Sequence, residues 1–263
     1  DKYKTSTVVD NFIYNLKRHS LILEKSSKEN ESISEFSIHR SIQQVCSIYL
    51  NNLKRKEQEQ KKLDVLASFL IQYLDKLILN DDIPRIKGVV SHIETFLKHS
   101  EFISASERCI LEGKLGFIYL YLGRFLQSIK ILKNSLSICI ECYGNKHVKT
   151  AWIMRALGLA YKSMGELDAG ITFLENSLTI YRRHYGDKNE ETVETTFSLG
   201  ILYRVMCHYR NAKSLLEEGV AFFEKKYGKS HIKVAWVLAQ LGVLYKRMGY
   251  YHEAVNTFER AIA

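Results

Sequence analysis

Four gapless segments, "KLGFIYLYLGRF" (114–125), "ALGLAYKSMGEL" (156–167), "SLGILYRVMCHY" (198–209) and "QLGVLYKRMGYY" (240–251), recur at a strict interval of 42 residues. Their Leu-Gly pairs begin at Leu115, Leu157, Leu199 and Leu241, and a second marker, Tyr143-Gly144, Tyr185-Gly186 and Tyr227-Gly228, keeps the same interval. Two independent markers in one register restrict the chain to stacked copies of a single supersecondary unit. Each unit reads as a helix hairpin. Gly116, Gly158, Gly200 and Gly242 let helix A approach its neighbour where a Cβ would clash. Helix A ends near Gly123, Gly165 or Gly249, residues suited to a left-handed cap, with Cys207 there in the third repeat. Helix B carries an apolar stripe, as in Ile171, Leu174, Leu178 and Tyr181, and small residues at its close contact, Gly170, Ala212 and Ala254. Neither helix buries its stripe alone, so the hairpins stack into an all-α solenoid with a concave face formed largely by A helices.

Composition agrees with helices joined by short turns. Pro84 is the single proline, and 46% of the 263 residues are hydrophobic, ample for a buried core. No apolar run reaches the roughly 18 to 20 residues that span a bilayer, and the N-terminus carries neither a signal peptide nor a lipidation motif, so a cytoplasmic chain without a membrane partner is expected. The first residue is Asp1, and the last ones stop inside an amphipathic pattern, which points to a piece of a longer protein. Five scattered cysteines argue against a disulfide framework. Cys139-Ile-Glu-Cys142 matches C-x-x-C but lies in a helical pattern without a second ligand pair, so no metal site is expected and packing is the simpler role.

The motif Leu157-Gly158-Leu159-Ala160-Tyr161 and its copies resemble the tetratricopeptide repeat. A 42-residue period with Tyr-Gly and a following His, as in "YGNKHVKTA" and "YGKSHIKVA", resembles the variant of kinesin light chains and of many large signalling ATPases. The resemblance covers residues 104–263 and implies a right-handed superhelical solenoid. It further implies a ligand groove lined by helix A positions flanking Leu-Gly: Trp152, Arg155, Leu159 and Lys162, then Glu194, Phe197, Ile201 and Arg204, then Trp236, Gln240, Val243, Lys246 and Arg247. Lys162, Arg204 and Lys246 are equivalent, so a basic ladder would run beside Trp152, Phe197 and Trp236. Cations beside aromatic anchors suit a protein partner presenting an extended acidic peptide. A structural reading competes, in which each Lys or Arg only solvates a helix end and interacts with its dipole.

Residues 1–55 read differently. Helix "TVVDNFIYNLKRHS", strand "LILEK", polar turn, strand "EFSI" and helix "HRSIQQVCSIYLNNL" resemble the end of the winged-helix domain in nucleotide-switched signalling ATPases of the STAND/NB-ARC class. That resemblance implies a sensor role for His39 toward the β-phosphate of ADP in a full-length parent, although Arg40 departs from the family's Met-His-Asp triplet. An imidazole at a helix start can donate to phosphate, reinforced by the helix N-terminus. Residues 56–103, with "IPRIKGVVSHIETFLKHSE" (83–101), resemble the helical linker before such repeats. A surface left by the missing upstream partner would permit self-association into a homo-oligomer.

The other function classes fare poorly. No G-x-x-x-x-G-K-[ST], H-E-x-x-H or G-x-S-x-G occurs, so the chain is expected to bind no cofactor of its own and to be no enzyme; ADP or ATP would belong to the parent. The net charge of +9 favours acidic partners of some kind. The basic stretch "NNLKRKEQEQKK" lacks the aromatic interleaving of a nucleic-acid platform, and segment 38–53 offers one cation, Arg40, to DNA. A DNA-binding regulator is therefore disfavoured, and a free-standing adaptor is the stronger alternative to the signalling ATPase.

Overall fold

The computed structural model describes residues 22–25, 35–38, 56–79, 83–98 and 103–262. They fall into two compact units, Asp1–Ser104 and Ala105–Ala263. In the first unit strands β1 (Ile22–Lys25) and β2 (Glu35–Ile38) pair antiparallel, with Ile22 opposite Ile38 and Lys25 opposite Glu35. Both helices expected to flank this hairpin in a winged-helix segment lie outside the described residues, as do His39 and Arg40. Two helices follow, α1 (Lys56–Leu79) and α2 (Ile83–Leu97). Their facing stripes, Leu70, Leu74 and Leu77 on α1 and Ile86, Val90 and Ile93 on α2, are buried at helical spacing. The side chain of Asp64 accepts a 2.8 Å hydrogen bond from the backbone N–H of Ser104.

The second unit is four hairpins. Their A helices are α3 (Ala105–Tyr121), α5 (Val148–Met164), α7 (Glu190–Val205) and α9 (Ile232–Met248). Their B helices are α4 (Phe125–Tyr143), α6 (Leu167–Tyr185), α8 (Tyr209–Tyr227) and α10 (Tyr251–Ile262). The glycine of each Leu-Gly pair marks a point of close approach within its hairpin. A Cβ on Gly158 would stand 2.7 Å from Cγ of Leu174, and one on Gly242 would stand 2.8 Å from the Phe258 ring. Leu-Gly thus sets how closely A and B pack, and Leu174 and its equivalent Leu216 are fully buried against it.

Each A-to-B corner has one geometry. Gly165 closes α5 at φ 84°, its N–H bonding to the Lys162 carbonyl while Glu166 N–H reaches back to the Tyr161 carbonyl. The same two bonds recur after α9, and after α7 with Cys207 at φ 63° in the glycine's place. The B-to-A corners are equally uniform. His147 and His231 cap α5 and α9, Nδ1 accepting from the backbone N–H of Lys149 and Lys233 at 3.1 Å, and Asn189 takes that role at α7. Each capping imidazole stacks on the Tyr of the preceding Tyr-Gly, with ring centroids 4.9 Å apart for Tyr143 and 4.6 Å for Tyr227.

Repeated hydrogen bonds, as well as apolar contact, hold the helices together within hairpins and between them. Within a hairpin, Ser135 and Ser177, 42 residues apart, donate from helix B to the carbonyls of Cys109 and Ala151 on helix A of the same hairpin. Between hairpins, the tyrosine of Leu-Gly-x-x-Tyr reaches the preceding helix B: Tyr203 donates to Glu175 at 2.9 Å and Tyr245 to Glu217 at 2.7 Å. B helices meet chiefly the A helices on either side, whereas consecutive A helices also touch each other, α3 with α5 and α5 with α7. The A helices therefore form the inner, concave side of the curve. Among the described residues no helix is long and apolar enough to cross a membrane.

Candidate functional site

The concave face divides along the A helices into two halves of opposite electrostatic character. Toward the helix N-termini the charges neutralise one another. Arg155 on α5 forms ion pairs of 2.9 Å with Glu191 and 2.7 Å with Glu194 on α7. Lys233 on α9 pairs at 2.8 Å with both Glu190 and Glu194, so Glu194 is shared by cations from the repeats before and after it. Lys226 and the Tyr227 hydroxyl on α8 also donate to Glu190. Burial alone would raise the Glu190 carboxyl, but hydrogen bonds from Lys226, Lys233 and Tyr227 hold it at about 2. The Lys233 ammonium is desolvated, yet the two carboxylates push its pKa upward.

Toward the C-termini of the same helices the cations have no anion among the described residues. Lys162 on α5 and Arg204 on α7 are half-buried, and neither they nor Lys246 and Arg247 on α9 form an ion pair with a described carboxylate. Burial and the neighbouring Arg204 lower the Lys162 pKa; burial and Arg247 lower that of Arg204. One Arg204 Nη donates to Gln240 at 3.2 Å, while its buried Nε has no partner. Two neighbouring desolvated like charges are unfavourable by themselves, and a bound anion would relieve them. Half-buried Leu159 and Val243 lie one turn before the cations, with the buried Ile201 between them.

Several expected groove residues sit elsewhere. Phe197 is 1% exposed and belongs to the core, with the Trp236 ring 5.3 Å away, so it offers no anchor to a ligand. Its register explains why: it is equivalent to Arg155, and helix B opposite it carries Gly219 where the earlier repeats carry Ser135 and Ser177. A Cβ on Gly219 would stand 2.4 Å from the Phe197 ring, which occupies the space that serine leaves. Ile201 is likewise core. Arg155 and Glu194 face the groove side but are committed to each other, so neither is a free ligand contact. Trp236 is 51% exposed, while Trp152 is half-buried beneath the Lys114 ammonium, 4.0 Å from its ring. The cation beside Arg204 on α9 is Arg247, not the equivalent Lys246, and both are exposed to solvent. Sequence reasoning passed over Glu190, Glu191 and Lys233, whose only visible signal is alternating charge at the starts of successive A helices. Elsewhere, Cys139 is buried and Cys142 exposed, and no cluster of three or more His, Cys, Asp or Glu suited to a metal occurs among the described residues.

The tetratricopeptide repeat family profile matches residues 107–169, 157–225 and 209–263. The chain belongs to the tetratricopeptide repeat family, a fold of protein–protein interaction modules. Its structure is similar to BtubC (BKLC) from P. vanneervenii, with TM-score 0.55 and 17% identity over 80% of this chain and 90% of that one. It is also similar to a putative kinesin light chain of nearly identical repeats from Podospora anserina, with TM-score 0.57 and 16% identity over 80% and 95%. A third neighbour is a Rap protein in complex with Competence and Sporulation Factor, with TM-score 0.60 and 14% identity over 83% of this chain and 57% of that one. No curated protein sequence matches the chain.

Proposed function

We propose that the repeat unit is a binding module that captures an acidic segment of a protein on its concave face, through Lys162, Arg204 and Arg247. The observation that carries this reading is a pair of half-buried cations, Lys162 and Arg204, followed by the exposed Arg247, none with an anion among the described residues, next to a second set of groove charges that is paired. If the cations only solvated helix ends, they would extend into water; instead Arg204 holds its Nε away from solvent without a partner. The similarity in fold to a Rap protein solved with Competence and Sporulation Factor is consistent with capture of a factor by such a solenoid.

The test is binding of a fluorescent oligoglutamate peptide at low ionic strength to the wild-type chain and to the triple variant Lys162→Glu, Arg204→Glu, Arg247→Glu. The variant keeps its helical circular dichroism and loses the peptide, because reversing unpaired charges breaks no internal bond except that of Arg204 to Gln240. Undiminished binding would remove these residues from the site.

In the full-length protein the repeats act, on this reading, as the sensor of a nucleotide-switched signalling ATPase, with His39 directed at the β-phosphate of ADP. Support comes from the sequence resemblance of "LILEK" and "FSIHRSIQQV" to that class. ADP co-purifying with the full-length protein, and lost in His39→Ala, is the expected result; a nucleotide-free protein that still captures its partner would be an adaptor.

A further inference from the structure

We infer that Cys109 and Cys139 form a redox modification site, a reduced thiol pair that closes to a disulfide between α3 and α4 when the chain meets a peroxide. The pair takes no part in the binding face described above, and both side chains are wholly buried.

Neighbouring contacts on the same two helices place the sulfurs together. Ser135, Cys139 and Tyr143 follow one another at single turns along α4. Ser135 Oγ donates to the Cys109 carbonyl at 2.6 Å, and the Tyr143 hydroxyl donates to the Ser106 carbonyl at 3.5 Å. The Cys109 thiol itself lies 3.2 Å from that Ser106 carbonyl. Cys139 is thus bracketed, one turn on either side, by residues that touch the turn of α3 carrying Cys109. A serine side chain is as short as that of cysteine, so its direct bond to the facing backbone means that the helices approach within reach of such side chains.

The repeat supplies independent support. The positions equivalent to Cys109 and Cys139 hold Ala151 and Tyr181 in the second hairpin, and Val193 and Phe223 in the third. Each of these pairs shares one apolar cluster, as Cys109 and Cys139 do. Where the later hairpins set an aliphatic residue against an aromatic ring, the first sets one thiol against another. A hydrogen bond between the two sulfurs lowers the pKa of Cys139 against the opposing effect of burial, and Thr150, 3.4 Å away, and Lys149 lower it further. The same bond, together with burial, raises that of Cys109. Cys139 is therefore favoured as the attacking thiolate and Cys109 as the thiol that follows.

Cys139 Sγ attacks one peroxide oxygen, the O–O bond breaks, and the departing hydroxide takes up the proton that Cys139 lost. Cys109 Sγ then displaces hydroxide from the resulting sulfenic acid, the S–S bond forming as the S–O bond breaks, and that hydroxide leaves with the Cys109 proton. The two thiols lose two electrons, and one peroxide becomes two waters. Because both sulfurs are buried, peroxide reaches them on local opening of the first hairpin, more slowly than it reaches the exposed Cys142 and Cys207. The bond closes a loop of about 30 residues and stabilises the hairpin by restricting the unfolded chain.

The experiment treats the full 263-residue chain with hydrogen peroxide under native conditions, then unfolds it, blocks free thiols with iodoacetamide and digests it without reductant. Mass spectrometry is expected to find the Cys109 and Cys139 peptides joined by a disulfide that dithiothreitol releases. The oxidised chain shifts its urea midpoint upward, read by Trp152, which packs against the same cluster. Cys109→Ala, which introduces the residue that the second hairpin carries at this position, forms no link and shows no shift. Recovery of Cys109 and Cys139 as blocked thiols or as sulfinic acids overturns the site, and so does a link of Cys139 to Cys142. A link without a midpoint shift, or an equal shift in Cys109→Ala, overturns the stabilisation of the hairpin by the bond.

Discussion

Replacing Cys207 by glycine should make the protein more stable. Cys207 closes α7 at φ 63°, the left-handed region, and it is the one described non-glycine residue with positive φ. The hydrogen bonds around it, 3.2 Å to the Arg204 carbonyl and 2.8 Å from His208 N–H to the Tyr203 carbonyl, reproduce those at Gly165 and Gly249, so the substitution requires no rebuilding. A side chain in this conformation costs roughly 1–2 kcal/mol. Glycine offsets part of that gain through its larger unfolded-state entropy, roughly 0.5–1 kcal/mol. The net expectation is a stabilisation of about 0.5–1 kcal/mol, or about 1–4 °C in Tm for a unit of this size. Two exposed contacts of the thiol are lost, one from the Tyr209 hydroxyl at 3.3 Å and one to the Val205 carbonyl at 4.0 Å. Urea unfolding followed by Trp152 and Trp236 fluorescence reads this directly, since both tryptophans belong to the repeats. Cys207→Ala is the control, because it removes the thiol and keeps the Cβ, and it should leave the midpoint unchanged. If alanine stabilised as much as glycine, the effect would belong to the sulfur and the backbone argument would fail.

Two further predictions follow from the packing and the ion relay. Gly158→Ala places a methyl 2.7 Å from Leu174 and 3.0 Å from the Gly170 carbonyl, and should destabilise by about 1–3 kcal/mol in the same assay, whereas Gly88→Ala, exposed on α2 with nothing within 4 Å, should stabilise slightly; matching signs would refute the close-approach account. Glu190 has its folded pKa depressed to about 2, so its contribution is complete above its ordinary carboxylate range and is lost as pH falls toward 2; Glu190→Gln should therefore flatten the acid arm of the stability–pH profile, and an unchanged slope would show that the relay contributes nothing.

The period, the hairpins and their close contacts were legible because each depends on residues within one repeat. Leu-Gly fixes A against B, and Gly165 or Gly249 ends the helix, whatever the neighbouring repeat contains. The site was only partly legible because its contacts cross repeats. Lys233 meets Glu190 at a separation of 43 residues, one beyond the period, and no counting within a motif selects that partner. Phe197 misleads for a related reason: its groove-like position is cancelled by Gly219, a difference on the facing helix that outweighs the register. The His147 and His231 caps were visible as Tyr-Gly-x-x-His, but their role emerges only from the turn geometry.

The shared carboxylate of Glu194 gives the solenoid a mechanical asymmetry. Arg155, Glu194 and Lys233 tie three consecutive hairpins along the inner arc, where bending changes distances most sharply. Uncoiling the superhelix would stretch both ion pairs at once, whereas tightening it would leave them in contact. The molecule should thus resist being pulled straight more than being wound further, and a load applied along its axis would be borne first by these few charges.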